Sequence, residues 1–289
     1  VLLNADFDSN YYNLPFSEIE LNTGALNGSL GLVYRPTETW QFNLNLSSGF
    51  RAPNVDDAAK VFDSEPGNVI VPNENLGPEY AYNADLGIIK RFSGQARMNL
   101  TVFYTYLDNA MVRREYAFNG QEIIEYDGEP SRVWALVNVG SAQVYGGSFS
   151  FNWDITSYLA FDTYLTLQNG EDVDGLPIRH VPPMFGSTGL TLTQEKLKIK
   201  FYSKYNGEIS YENLASSERN KPHLYAVNAD GNPYSPAWWT FNIKTSYQVN
   251  PFLQIDLGVE NFFDYRYRPY SSGIAAPGRN LIVALRGTL

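Results

Sequence analysis

The 289-residue sequence predicts an all-β fold: a transmembrane antiparallel β-barrel with short turns at one end and long loops at the other. Three observations predict it. Many segments alternate apolar and polar residues, the links between them alternate in length, and aromatic residues concentrate near the segment ends. Successive side chains of a strand point to opposite faces, so such a segment presents one face to lipid and one to water. Tight turns opposite long loops are typical of membrane barrels.

The alternation is clearest at residues 42–47, which read Phe-Asn-Leu-Asn-Leu-Ser, and it recurs at 145–154 and 239–248. The fifth predicted strand is longer than a membrane crossing requires, so its first part is expected to extend beyond the bilayer. Eleven strands are predicted in all, at residues 25–35, 40–51, 80–92, 96–110, 132–155, 158–171, 183–193, 197–211, 238–249, 252–266 and 279–289.

The links between these strands alternate strictly. Short links are 36–39, 93–95, 156–157, 194–196 and 250–251, and long links are 52–79, 111–131, 172–182, 212–237 and 267–278. A soluble β-sandwich also has alternating strands, but its strands are typically about five to six residues long. Aromatic residues near both strand ends, such as Tyr205 and Trp153, indicate two membrane interfaces. The membrane barrel is therefore the preferred interpretation.

The strand count implies that other strands complete the barrel. Eleven is odd, whereas single-chain bacterial barrels have even counts, and an open sheet in lipid leaves costly unpaired edges. We therefore expect residues 25–35 and 279–289 to pair with strands outside this sequence. The sequence also begins with Val1 and shows no signal peptide, so we expect a longer precursor.

Composition disfavours several classes of function. There are no cysteines, so disulfides and thiolate metal sites are excluded. A formal charge of -10 disfavours a nucleic-acid partner. With two histidines and no convergent acid, base and nucleophile, the chain is not predicted to be an enzyme. Residues 171–175, Glu-Asp-Val-Asp-Gly, resemble part of a calcium loop but lack its remaining ligands. Neither a cofactor nor a metal is predicted.

Four motifs occur in a fixed order. The first is Gly-Phe-Arg-Ala-Pro-Asn at 49–54, followed by Pro-Asn-Glu-Asn-Leu-Gly-Pro-Glu at 72–79. The second is Tyr-Thr-Tyr-Leu-Asp-Asn at 104–109, and the third is Asn-Val-Gly at 138–140 with Val-Tyr-Gly-Gly at 144–147. The fourth runs from Val259 to Arg268 and resumes with Pro-Gly-Arg-Asn at 277–280. Together they resemble the TonB-dependent receptor family. For individual side chains such as Asn261 and Asp264, the alternative role is to stabilise a turn by binding its backbone groups.

The resemblance implies a bacterial outer-membrane location and a barrel of about 22 strands with a plugged lumen. This chain is then the C-terminal half, and the N-terminal plug and first strands lie elsewhere. Implied partners are the TonB energy-coupling complex, the remaining barrel strands and plug, outer-membrane lipid and lipopolysaccharide, and the barrel-assembly machinery. The last of these is suggested by the final strand, which resembles its recognition signal.

The implied function is uptake of a scarce nutrient, a ferric siderophore-like chelate above all. No histidine lies in residues 54–72, so haem is a less favoured candidate substrate. Guanidinium groups suit an anionic chelate, and aromatic rings could stack on it; loop packing and lipopolysaccharide contact are the alternative roles. The candidate substrate-binding residues are Arg51, Arg113, Arg114, Tyr116, Trp134, Arg179, Tyr211, Tyr225, Arg266, Arg268 and Tyr270. A passive porin, a barrel enzyme and a structural outer-membrane barrel within a larger complex are the alternatives.

Overall fold

A computed structural model describes residues 2–6, 17–59, 61–65, 67–93, 95–221 and 223–288. Strands dominate this part of the chain. They are β1 (Leu2–Asp6), β2 (Glu18–Asn22), β3 (Ser29–Thr37), β4 (Trp40–Arg51), β5 (Phe62–Glu65), β6 (Asn68–Val71), β7 (Glu79–Phe92), β8 (Ala96–Asp108), β9 (Met111–Glu115), β10 (Ile123–Tyr126), β11 (Glu129–Asn138), β12 (Ser141–Asp154), β13 (Leu159–Asp172), β14 (Phe185–Gln194), β15 (Leu197–Asn206), β16 (Ala226–Val227), β17 (Pro233–Tyr234), β18 (Trp238–Asn250), β19 (Leu253–Glu260) and β20 (Asn280–Gly287). The helices are α1 (Val55–Ala59) and two short 3₁₀ turns, Tyr211–Asn213 and Ser216–Glu218. No helix in the described ranges is long and apolar enough to cross a membrane.

Eleven of these strands form one sheet, in the order β3-β4-β7-β8-β12-β13-β14-β15-β18-β19-β20. Each strand is antiparallel to its neighbours. The predicted all-β fold and its eleven barrel strands are confirmed. Within the described residues the sheet is open, with β3 and β20 at its edges. The pairing of these edges with strands outside the sequence stays a prediction.

The register gives the sheet two chemically different faces. Leu44 lies opposite Leu86, and the adjacent Asn45 lies opposite Asp85, to which it donates a hydrogen bond of 3.1 Å. At the other edge, Ile255 faces Leu285. Large apolar side chains are exposed on the first face, with Leu285 70% exposed, whereas the second face carries amides and charges. An apolar outer face and a polar lumen are the arrangement of a membrane barrel.

Aromatic side chains cluster at both ends of the sheet. At the short-turn end, the Lys90 ammonium lies 4.4 Å from the centroid of the Trp40 ring. At the long-loop end, the ring of Trp239 packs against that of Tyr205 in a tilted arrangement, at 5.1 Å between centroids. Amphipathic rings at two levels are typical of the two membrane interfaces.

A second, smaller sheet stands beyond the long-loop end. It contains β5, β6, β9, β10 and β11, with β11 at its centre and β6 parallel to β11. Val69, Val133 and Ala135 are fully or almost fully buried in its core. This outer sheet occupies loops that were predicted to lack strands, because the first link supplies β5 and β6 and the second supplies β9 and β10.

The outer sheet also corrects a predicted boundary. The single strand predicted at 132–155 is wrong: the chain forms β11, leaves the strand conformation at Val139–Gly140, and then enters the barrel sheet as β12. The side chain of Asn138 binds the backbone of Gly77 and Asn109 and so fixes the break between the two strands. Two barrel strands also end earlier than predicted. β15 ends at Asn206, before Gly207, and β19 ends at Glu260. The residue after β19, Asn261, has a positive φ of 50°.

Candidate functional site

A cavity of about 290 Å³ lies at the loop-side end of the barrel sheet, and four of the predicted arginines line it. Arg51 is the last residue of β4, Arg113 and Arg114 belong to β9, and Arg179 follows β13 in the next long loop. Residues far apart in the sequence meet here because β9 folds back over the ends of the barrel strands through its pairing with β11. The structure therefore brings together Arg51, Arg113, Arg114 and Arg179.

Three of these arginines are paired with acids. Arg51 Nη2 donates to both carboxylate oxygens of Asp57, at 2.8 and 2.7 Å. Arg114 forms an ion pair with Asp172, whose side chain is only 1% exposed. Arg179 forms an ion pair with Glu218. These three guanidinium charges are balanced within the protein.

Arg113 differs from the other three. Within the part of the chain that the structure describes, its side chain has no ion pair, and its buried Nε, like that of Arg179, has no hydrogen-bond partner. Its guanidinium carbon lies 5.9 Å from the centroid of the Phe62 ring. Burial and the nearby charge of Arg179 lower the pKa of Arg113 to about 10, against the opposing effect of Glu218. The group is still charged at neutral pH, and Glu79 also lines the cavity, although no ion pair joins it to Arg113 among the described residues.

Glu218 organises the loops beside this cavity. Its side chain is fully buried. It accepts hydrogen bonds from Lys221 Nζ at 2.8 Å, Tyr225 Oη at 2.6 Å and Ser271 Oγ at 3.3 Å, in addition to its ion pair with Arg179. Burial raises the pKa of Glu218, but the hydrogen bonds from Lys221 and Tyr225 and the charge of Arg179 outweigh it and lower the pKa overall. Three separate long loops are thereby joined at one ionised carboxylate.

The pKa values of the residues around Glu218 are shifted as well. Burial, followed by the hydrogen bond to Glu218, raises the pKa of Tyr225, and burial lowers the pKa of Lys221. The ring of Tyr270 lies 6.4 Å from that of Tyr225. Partial desolvation by the surrounding loops, followed by the charge of Arg179, lowers the pKa of His180, whose φ is 64°. Tyr225 and Tyr270, both candidates for ligand stacking, thus pack within this cluster.

A second cavity, of about 380 Å³, contains Arg266, Arg268 and the edge of Tyr225. Trp238 and Tyr267 stack within it at 4.2 Å between ring centroids. The Arg268 guanidinium donates a hydrogen bond to the backbone oxygen of His223. The six predicted arginines are therefore divided between two cavities.

The remaining candidates lie outside both cavities. Trp134 is buried in the outer sheet and donates from Nε1 to Asn68 Oδ1 at 2.9 Å. Tyr116 packs against the core of the same sheet. The Tyr211 ring lies 4.5 Å from the guanidinium carbon of Arg219. All three side chains pack within the loops themselves.

Sequence reasoning missed four residues of these sites: Glu218, Lys221, Trp238 and Tyr267. Glu218 and Lys221 are three residues apart in a long polar loop, where charges are usually solvated. Their burial depends on the assembly of three loops, so no local pattern indicates it. Trp238 was assigned to a strand end and interpreted as part of the barrel wall.

The motif asparagines bind backbone at the strand ends. Asn138 Oδ1 accepts from the Gly77 N–H at 2.6 Å, and its Nδ2 donates to the Asn109 oxygen at 2.8 Å. Asn261 Oδ1 accepts from the Tyr265 N–H at 2.9 Å, and Nδ2 donates back to the Tyr265 oxygen at 2.8 Å. Asp264 Oδ1 accepts from the Arg279 N–H at 2.7 Å. The motif side chains hold turns and loop junctions, as the turn-chemistry interpretation predicted for Asn261 and Asp264.

Residues 171–175 also form a turn that a side chain stabilises. Asp172 Oδ1 accepts from the N–H groups of Asp174 and Leu176, each at 3.0 Å, while Oδ2 contacts Arg114. The carboxylate is therefore engaged by a turn and a guanidinium. Among the described residues, no group of three His, Asp or Glu side chains is arranged to hold a metal ion.

An antiparallel sheet with one apolar face and one polar face, short turns and elaborate long loops defines the wall of a membrane β-barrel. A family model described as "TonB dependent receptor-like, beta-barrel" matches residues 4–262. The chain belongs to the TonB-dependent receptor family, whose barrels lie in the outer membrane. The resemblance inferred from the four motifs is thereby confirmed.

Solved structures share this fold. The siderophore receptor PirA from Acinetobacter baumannii is 16% identical, with a TM-score of 0.67 over 94% of this chain and 41% of that one. A mutant of the ferric enterobactin receptor PfeA from Pseudomonas aeruginosa, in complex with enterobactin, is 17% identical, with a TM-score of 0.68 over 94% of this chain and 41% of that one. A copper transporter, OprC, is 16% identical, with a TM-score of 0.69 over 90% and 39%. The chain thus spans about two fifths of the length of these proteins.

Proposed function

We propose that this chain is the C-terminal half of the barrel of an outer-membrane receptor that imports an anionic metal chelate, a ferric siderophore-like complex, with energy supplied through TonB. The family match and the open sheet of eleven strands support a partial barrel that the rest of the receptor completes. In this proposal the missing part supplies the other strands, the plug and the contact with the TonB complex. The receptor is a transporter and not an enzyme.

The cavity lined by four arginines is the observation that carries the substrate proposal. Guanidinium groups bind carboxylates and other oxyanions through paired hydrogen bonds. The cavity lies at the loop-side end of the barrel sheet, which is the side that meets the exterior in a barrel with short periplasmic turns. The names of two structural neighbours, a siderophore receptor and a ferric enterobactin receptor, agree with this class of substrate.

The same proposal assigns the molecules that the barrel contacts in the outer membrane. The apolar face of β4, β8, β13 and β20 contacts outer-membrane lipid, and the rings at its loop-side end meet lipopolysaccharide. The last strand, β20, presents Leu281, Val283 and Leu285 on one face, which is the pattern proposed for recognition by the barrel-assembly machinery.

Uptake by cells that carry the complete receptor tests this function. Cells are supplied with radiolabelled ferric chelates of several chemical classes, with and without a functional TonB. We expect at least one chelate to bind in both strains and to be imported only when TonB is present. Import that is unchanged without TonB would favour a passive porin, and a copper complex as the sole cargo would replace the iron assignment.

A further inference from the structure

The apolar face of the barrel wall carries very few charges. Within the described residues of the eleven wall strands, the register places only Lys90 of β7, Asp108 of β8 and Glu171 of β13 on this face. Asp108 is the last residue of its strand and Glu171 the last but one, so both lie at the long-loop end. Lys90 lies at the opposite end, beside the short turn between β7 and β8. It is the one cation on the lipid side of the described wall.

Aromatic rings surround the Lys90 ammonium. Its Nζ lies 4.4 Å from the centroid of the Trp40 ring and 5.9 Å from that of the Phe92 ring. Phe42 stacks on Trp40 at 5.8 Å between centroids. On the other side, Phe151 packs against Phe92 at 6.5 Å. Rings at this level mark the membrane interface at the short-turn end, which faces the periplasm in a barrel of this kind. The ammonium therefore lies at the depth of the lipid headgroups.

The Lys90 charge is not balanced by a carboxylate of the protein. Its Nζ donates a hydrogen bond to Thr39 Oγ1 at 3.1 Å, and no ion pair joins it to an acid in the described ranges. Glu38, beside Thr39 in the short turn before β4, is exposed and makes no ion pair with Lys90 either. An ammonium has three donors, so charge and hydrogen-bonding capacity remain for an external oxygen.

The phosphate of a phospholipid suits these groups. A phosphodiester carries one negative charge, which matches one ammonium, and lysine binds phosphate as a point charge. The Trp40 and Phe92 rings offer apolar surface to the glycerol and the first methylenes of the lipid. A zwitterionic headgroup carries its own ammonium, which competes with Lys90 for the phosphate. A headgroup with a net negative charge is therefore preferred.

We propose that Lys90, together with Thr39 and Trp40, binds the phosphate of an anionic phospholipid in the leaflet at the short-turn end. The Thr39 hydroxyl holds the ammonium in place, and the Trp40 ring packs against the lipid beside its phosphate. The site does not depend on which substrate the receptor carries, because it lies on the lipid side of the wall and not in the lumen.

Native mass spectrometry of the complete receptor, purified in an uncharged detergent, measures the affinity of individual lipids. The titrants are phosphatidylglycerol, phosphatidylcholine and, as the soluble headgroup, glycerol phosphate. The variants are Lys90→Gln and Lys90→Arg, with Lys196→Gln as the matched control. Lys196 is an exposed lysine in the short turn between β14 and β15, so its substitution removes the same charge at the same end of the barrel. Thermal unfolding of each variant confirms that the fold is intact.

Wild type should bind its first phosphatidylglycerol more tightly than its first phosphatidylcholine. Lys90→Gln should weaken phosphatidylglycerol binding by about fivefold, which is the contribution of one basic side chain near an anionic lipid surface. Binding of phosphatidylcholine should change less. Lys90→Arg should retain the preference, because a guanidinium also pairs with phosphate, and Lys196→Gln should bind both lipids like wild type.

Four outcomes overturn the site. Equal affinity of wild type for the two lipids removes the anionic preference. Unchanged phosphatidylglycerol binding in Lys90→Gln leaves Lys90 as an interfacial anchor without a specific ligand. An equal loss in Lys196→Gln assigns the effect to the overall charge of the short-turn end. Binding of glycerol phosphate with the same dependence on Lys90 makes this a site for soluble phosphates and not for a lipid.

Discussion

The barrel wall and the loop assembly above it are built on different rules. In the wall, a residue's face follows from its position, so Leu44 and Asn45 point in opposite directions and meet Leu86 and Asp85 across the ladder. In the loops, partners come from distant segments, and Glu218 contacts residues from three of them. Backbone ladders hold the wall together, whereas buried side-chain charges and amides hold the loops. Stability and ligand binding should therefore respond to different mutations.

The largest expected effect is a destabilised loop assembly with an unchanged barrel wall. Glu218→Ala leaves the buried Lys221 and the half-buried Arg179 without their shared carboxylate, and removing one partner of a buried ion pair costs about 3–5 kcal/mol. We expect amide hydrogen exchange of the complete receptor to accelerate in residues 207–237, with the barrel strands unchanged. Glu115→Ala is the control, because its exposed pair with Arg132 contributes under about 1 kcal/mol. Equal exchange in both variants would show that Glu218 does not hold the loops.

The second effect separates the two faces of the wall. Leu44→Arg places a charge on the lipid face near mid-membrane and should destabilise by roughly 2–4 kcal/mol. Asn45→Arg should cost less, because its charge reaches the polar lumen. Reversible unfolding of the complete receptor in lipid vesicles measures both. A larger loss for Asn45→Arg than for Leu44→Arg would contradict the assigned faces.

The contrast between wall and loops also explains what the sequence could reveal. The eleven wall strands were predictable because a period of two is visible within ten residues, and the motif turns were predictable because asparagine and aspartate bind backbone locally. The outer sheet was missed because β6 and β11 pair across more than fifty residues and in parallel. Four of the arginines that the sequence suggested as substrate-binding residues line one cavity. Their pairing with Asp57, Asp172 and Glu218 was not predictable, because only the folded loops bring these acids near.

A smaller effect is expected at the junction between the two regions. Asn261→Ala removes the amide that bridges both the N–H and the carbonyl of Tyr265, so we expect a loss of about 1–3 kcal/mol. Asn261→Asp keeps one acceptor and should lose less. Thermal unfolding of the two variants, with Asn27→Ala at an exposed position outside the strands as the control, would detect this ordering. Identical values for all three variants would remove the structural role given to the motif.

The smallest effect is a pH dependence confined to the loops. The pKa of Glu218 is lowered in the folded state, so its stabilising contribution is complete above the ordinary value of 4.5 and is lost as the pH falls below it. Hydrogen exchange of residues 207–237, corrected for the intrinsic pH dependence, should therefore rise below about pH 4.5, and Glu218→Gln should abolish that rise. A rise of the same size in Glu218→Gln would assign it to another group.

The central claim is that one alternating pattern separates lipid from lumen along the wall, and adjacent spin labels test it most directly. The complete receptor carries a label at residue 44 or at residue 45 in lipid vesicles, and each label is exposed to a lipid-soluble and to a water-soluble quencher. We predict that the label at 44 responds to the lipid-soluble quencher, and that the label at 45 is shielded from it. A label at 44 that responds only to the water-soluble quencher would show that the faces are reversed. If neither label senses lipid, these strands do not form a membrane barrel.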